Sequence, residues 1–166
     1  MPRLKAILGD ITASKLEVVV NAANANLAAG GGVCGAIFAA AGPGLPEACM
    51  EQSPCPTGEA RITPGFSLDA KWIVHAVGPI WRGGGEAEAS LLASAYLESL
   101  QLAVSVGASS IAFPAISTGI YGYPIESATK IAIATCVAAP DLITVIHFLC
   151  FNESTLNIYT HALNAG

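Results

Sequence analysis

The chain has 166 residues, 53% apolar and 11% charged, which suits one domain with a real core, residues 1–166, and excludes a disordered chain. Seven Lys or Arg stand against twelve Asp or Glu, a net charge of −5 with no basic cluster, so a protein held on nucleic acid through its phosphates is disfavoured. An acidic protein still binds a phosphate when backbone N–H groups hold it.

Residues 4–8 form a short apolar run ended by Gly9-Asp10, and predict a first strand. The run meets those two residues too early for a signal-peptide apolar region. Residues 17–21, Glu-Val-Val-Val-Asn, are continuous and β-branched, as in a strand buried on both faces. Three glycines, Gly30, Gly31 and Gly32, lead into residues 33–41, an alanine-rich helical segment stopped by Gly42-Pro43. Residues 46–51 read as a short second helix or a turn. Two strands are expected at 58–63 and 72–77, then a loop, "GPIWRGGG". A helix at 86–106 has its apolar residues near a 3.6 period and a stop at Gly107.

A strand at 110–114 runs into "AISTGIYGYP". Pro124 opens a helix to about residue 138, residues 142–150 form the last strand, and Asn152 caps a closing helix to residue 163. The apolar stretch 131–151 is broken by Pro140-Asp141 and carries His147, so no membrane span is expected and a soluble cytoplasmic protein is. Alternating strands and helices, with several strands apolar throughout, predict an α/β fold whose sheet is covered by helices on both faces.

Five cysteines, an odd number without Cys-x-x-Cys, are expected as reduced thiols. Cys136 and Cys150 lie in apolar runs and read as core residues. Cys34, Cys49 and Cys55 lack the usual zinc-ligand spacing, so no metal is expected.

Ligands of open α/β sheets bind beyond the carboxyl ends of the strands. Four stretches fall there: Gly9 to Thr12; Asn21 to Asn24 with Gly30 to Cys34; Ser117 to Gly122; and Phe151-Asn152. Gly30-Gly31-Gly32 precedes a helix, whose first N–H groups and dipole favour an anion. Ser117 to Gly122 is a second loop able to bring backbone close to a ligand, and two such loops facing each other would grip a pyrophosphate. Neither is a P-loop or a G-x-G-x-x-G turn, so each alone is a weak signal that also fits a tight turn.

Asp10 suits an exocyclic amine or a ribose hydroxyl, and equally suits a turn cap. Asn21 and Asn24 can bond a ribose or cap a loop. Tyr121 and Phe151 can stack on a ligand or belong to the core. His75, His147 and His161 show no partner pattern, and a histidine in an apolar strand is usually a hydrogen-bonded core residue. No nucleophile elbow is present.

At these same stretches the chain resembles the macrodomain family. "GDIT", "VVNAANANLAAGGGV.GAI", "AAGP", "TGEARIT", "IVHAVGP" and "FPAISTGIYGYP" match in order, from Gly9 nearly to the end. "GPIWRGGG" followed by "LLASAYLESL" is most similar to bacterial O-acetyl-ADP-ribose deacetylases of the MacroD-type branch. The resemblance implies a three-layer α/β/α sandwich around a mixed, largely parallel sheet, with a cleft for ADP-ribose or O-acetyl-ADP-ribose and action on mono-ADP-ribosylated proteins. It implies no cofactor.

By position, Asp10 would hold the adenine amine, with Ile11 beside it, and Phe151 would lie against the adenine. Asn24 would contact the distal ribose and take part in catalysis. Gly31, Gly32 and Val33 would line the first loop, and Ser117, Thr118, Gly119, Ile120 and Tyr121 would cradle the diphosphate. Cys34 departs from the pattern, which has aspartate there to orient the attacking water. An ordinary thiol, with a pKa of about 8.5, is a poor proton acceptor at neutral pH. A hydrolase using the substrate's own phosphate, a binding module without catalysis, and an RNA-associated or regulatory protein therefore stand as alternatives, the last disfavoured by the acidic balance.

Overall fold

Three consecutive valines have no polar side to turn to water, and the fold gives both sides an apolar partner. The computed structural model describes residues 1–165. Its strands are β1 (Arg3–Leu8), β2 (Val18–Ala22), β3 (Ala60–Pro64), β4 (Trp72–Ala76), β5 (Ser110–Phe113) and β6 (Val145–Cys150). They form one mixed sheet in the order β1-β6-β5-β2-β4-β3. β3 runs antiparallel to β4, and the other neighbours are parallel.

The helices are α1 (Gly32–Ala41), α2 (Gly44–Gln52), α3 (Glu88–Ser105), α4 (Ile125–Val137) and α5 (Glu153–Ala165). On one face of the sheet Val19, Ile73 and Ala112 pack with Ile37 and Phe38 of α1 and Leu45 of α2. On the other, Val18, Val20, Phe113 and Phe148 pack with Leu92 and Tyr96 of α3, Ala132 of α4 and Tyr159 of α5. The alternation of Val18 and Val20 against Val19 is the two-residue period of a strand buried on both sides. The result is the expected three-layer α/β/α sandwich.

Tyr96, Phe113, Phe148 and Tyr159 stack in series, with ring centroids 4.9, 6.3 and 5.1 Å apart. Each such pair contributes about 1 kcal/mol beyond its buried area. The Tyr96 hydroxyl lies 3.4 Å from both the Pro114 carbonyl and the Ile116 N–H, so this stack also anchors the loop after β5.

Several boundaries differ from the sequence reading. The segment at 46–51 is a full helix, Gly44–Gln52, because Pro46 sits in its first turn, where a missing N–H costs nothing. β6 starts at Val145, since the residues before it turn, with the Ile143 N–H on the Pro140 carbonyl at 2.9 Å. A 3₁₀ turn, Ile11–Ala13, was not expected. Asn152 does cap α5, its Oδ1 accepting the Thr155 N–H at 2.8 Å. Among the described residues no single helix is long and apolar enough to cross a membrane.

Candidate functional site

The parallel strands all end on one edge of the sheet, and the segments that follow them enclose a cleft of about 780 Å³. Asp10 and Ile11 follow β1, Asn24 follows β2, and Ser117, Thr118, Gly119, Ile120 and Tyr121 follow β5. Phe151 follows β6, and Gly31, Gly32, Val33 and Cys34 open α1. Every residue that the resemblance assigns to the site therefore lines this one cleft. Asp10 is the single charged side chain among its lining residues.

The first glycine loop meets α1 with no side chain capping the helix. Gly32 holds φ at +57°, where a side chain would be strained. Among the described residues no acceptor takes the N–H groups of Gly31, Gly32, Val33 or Cys34. They add to the positive end of the helix dipole.

The loop after β5 supplies a second set. Ser117 has φ at +67°, a strained value for a non-glycine residue, of the kind concentrated at ligand sites. The turn is held by Tyr123 N–H on the Ser117 carbonyl at 2.9 Å and by the Thr118 hydroxyl on the Ala115 carbonyl at 2.8 Å. The N–H groups of Ser117, Gly119, Ile120 and Tyr121 have no acceptor among the described residues. With no Lys or Arg in the lining, these two sets are what the cleft offers an anion.

A buried carboxylate steadies this second loop from behind. Glu88 is 1% exposed and accepts the N–H groups of Arg82, Gly84 and Glu86 at 2.8, 3.0 and 2.7 Å. The Trp81 N–H reaches the Tyr121 carbonyl at 2.8 Å, and its ring packs on Tyr123 at 4.7 Å. Burial raises the Glu88 pKa, but the backbone donors outweigh it and bring the group to about 2. Because the folded pKa is depressed, the stability it contributes is present above the unfolded value of about 4.3 and is lost as pH falls through about 2. The melting-temperature gap between the native protein and Glu88→Gln should thus be full at pH 7 and shrink between pH 4 and 2.5. An equal gap across that range in thermal melts would contradict it.

At the other end, Asp10 Oδ1 accepts the Thr12 N–H at 2.9 Å and its hydroxyl at 2.7 Å. The turn-cap role is therefore real, and among the described residues Oδ2 has no donor. Phe151 is 76% exposed and Ile120 is 91% exposed, so the core alternative for Phe151 falls away. Two large apolar side chains thus stand largely exposed at the cleft.

Asn24 is spent on its own loop, Nδ2 donating to the Ala28 carbonyl at 2.9 Å and Oδ1 accepting the Ala28 N–H at 3.1 Å. Cys34, 6% exposed, sends its thiol toward the same carbonyl at 3.5 Å. Asn21 is not a ribose ligand: it is fully buried, with Nδ2 3.1 Å from His75 Nδ1. His75, without a partner pattern in the sequence, has Nε2 3.0 Å from Thr63 Oγ1 and 3.6 Å from Cys49 Sγ, and burial lowers its pKa to about 4. The strand register brings Asn21 of β2 and Thr63 of β3 beside it, and Cys49 reaches it from α2. Among the described residues no group of three or more His, Cys, Asp or Glu could hold a metal ion.

The family model described as Macro domain matches residues 20–132. The chain is 51% identical over 166 residues to a Macro domain-containing protein of Chlorobaculum tepidum, covering 98% of this chain and 96% of that one. It is 50% identical over 171 residues to a protein named O-acetyl-ADP-ribose deacetylase from Citrobacter rodentium, covering 97% and 95%. Its fold is similar to an Oceanobacillus iheyensis macrodomain solved with ADP, with a TM-score of 0.92 and 44% identity over 98% of this chain and 90% of that one. It is also similar to a Trypanosoma brucei macrodomain in complex with ADP-ribose, with a TM-score of 0.88 and 36% identity over 96% and 68%.

Proposed function

Because the chain belongs to the Macro domain family, we propose that residues 1–166 act as one cytoplasmic domain that binds ADP-ribose and hydrolyses O-acetyl-ADP-ribose or mono-ADP-ribosyl esters on proteins. The observation that carries this reading is the pair of unpaired N–H sets, at residues 31–34 and at 117 and 119–121, lining a cleft without a basic side chain. A diphosphate satisfies both sets at once.

The remaining roles follow from chemistry and place. Asp10 Oδ2 accepts the adenine amine, with Ile11 beside it, and the uncovered Phe151 ring lies on the base. Gly31, Gly32 and Val33 hold one phosphate face, and Ser117, Thr118, Gly119, Ile120 and Tyr121 the other. Asn24 stands at the distal ribose. Hydrolysis adds water to the acetyl carbonyl and releases acetate and ADP-ribose.

No carboxylate stands at α1 to take the water's proton, and the Cys34 thiol and the Asn24 amide are both engaged with Ala28. The substrate's phosphate, held by the two loops, is then the group that orients the water, and turnover is slow. The same contacts support a second reading, an ADP-ribose-binding module without useful catalysis.

Purified protein incubated with O-acetyl-ADP-ribose, with ADP-ribose followed by chromatography, separates the two. Release above the uncatalysed rate supports the hydrolase. Binding of ADP-ribose by calorimetry without release leaves the binding module, and no binding overturns both.

A further inference from the structure

A chain of buried polar groups runs from β3 to the cleft. It begins at Thr63 Oγ1, 3.0 Å from His75 Nε2. His75 Nδ1 is 3.1 Å from Asn21 Nδ2, which also lies 3.7 Å from Cys34 Sγ. The Cys34 thiol then reaches the Ala28 carbonyl, and Ala28 is held on both sides by Asn24. Asn21, Thr63 and His75 are almost wholly inaccessible.

The donors in this chain can be assigned by what each choice leaves unpaired. With Nδ2 toward His75 and Cys34, one acceptor, Asn21 Oδ1, has no partner among the described residues. The reversed amide would orphan two buried donors, which is worse tolerated than one carbonyl. Nδ1 of neutral His75 is then the acceptor, its Nε2–H donates to Thr63, and Asn21 gives its second N–H to sulfur.

We propose that Asn21, fixed by His75, is the positioning residue for the side chain at position 34, aiming an N–H at Sγ so that the thiol locks the 24–28 loop against the start of α1. Asn21 touches no ligand; it acts through Cys34 and Ala28 on Asn24. The proposal rests on the cleft being the ADP-ribose site.

Site-resolved alkylation of Cys34 by iodoacetamide, followed from pH 6 to 10, tests it. Besides Cys34, the titratable groups in this run of polar side chains are Cys49 of α2 and His75 of β4, and burial moves them to about 11 and about 4, outside that window. Asp10, beside the 3₁₀ turn packed on α1, is the one charged group of the cleft and is unaltered in every variant. An N–H donor stabilises the thiolate, so Asn21→Leu should raise the alkylation midpoint and slow the reaction at pH 7.5 about tenfold, the scale of one hydrogen bond to a charged group.

His75→Leu should raise the midpoint as well. His75→Gln, which keeps an acceptor for Asn21, should hold the native value. Faster alkylation at an unmoved midpoint in Asn21→Leu would mean that Asn21 only packs, and would overturn the proposal. Should that variant fail to fold, Asn21→Asp serves: its carboxylate beside the sulfur raises the midpoint if the contact is real, and an unmoved midpoint overturns it. Calorimetry with ADP-ribose keeps the two readings apart. No binding by the native protein sinks the assignment of the cleft and leaves the alkylation result intact, whereas binding with an unmoved midpoint sinks the positioning role alone.

Discussion

Cys34→Asp is expected to raise the rate of acetate release from O-acetyl-ADP-ribose about a hundredfold, the lower end of what a positioned general base contributes. The native sulfur accepts an N–H from Asn21 and sends its proton to the Ala28 carbonyl, so protein groups take up its hydrogen-bonding capacity. An aspartate has no proton to give at neutral pH. One oxygen keeps the Asn21 donor, and the other turns to the cleft, where it can hold and deprotonate a water.

The exchange has a cost in stability. Ala28 loses a donor and meets a carboxylate, and the loss of one such hydrogen bond is about 1 kcal/mol. Affinity for ADP-ribose should change little, because the loop N–H groups to which we assign the diphosphate are untouched. Steady-state rates and calorimetry on both proteins check this. A native enzyme already as fast as the variant would show that position 34 needs no acid and would end the binding-module reading.

The parts of this site that were legible in the sequence are those carried by short, local patterns. The valine run announced a strand covered on both faces, and the glycines before an alanine-rich segment announced a helix start whose N–H groups favour an anion. Asp10 and Phe151 were placed by the rule that ligands gather beyond strand ends; exposure closes the core alternative for Phe151, while Asp10 keeps its turn-cap role through Oδ1.

The polar chain behind Cys34 was not legible. Asn21 and His75 are 54 residues apart and meet because β2 and β4 pair in a register that sets one opposite the other. A one-residue slip would turn their side chains to opposite faces of the sheet. Glu88 escaped notice for a related reason. A glutamate at a helix start reads as a dipole partner, and only the path of residues 82–86 back over it turns it into a buried clasp.

Gly35→Ala should weaken ADP-ribose binding by about tenfold to a hundredfold while leaving the fold intact. A Cβ at position 35 would lie 2.5 Å from the Gly30 carbonyl oxygen, a backbone atom that cannot rotate away. Either α1 or the first glycine loop must move. α1 is pinned by Ile37 and Phe38 against the sheet, whereas Gly30, Gly31 and Gly32 are exposed, so the loop is the part that yields. Overpacking of this kind costs about 1–3 kcal/mol, and each 1.4 kcal/mol is tenfold in affinity. The penalty falls on binding because the displaced N–H groups no longer face those of residues 117–121. Gly85→Ala is the control: an added Cβ there meets nothing within 4 Å. If Gly35→Ala instead lowers the melting temperature by many degrees with affinity unchanged, the strain has gone into α1 and the first loop is not half of the diphosphate grip.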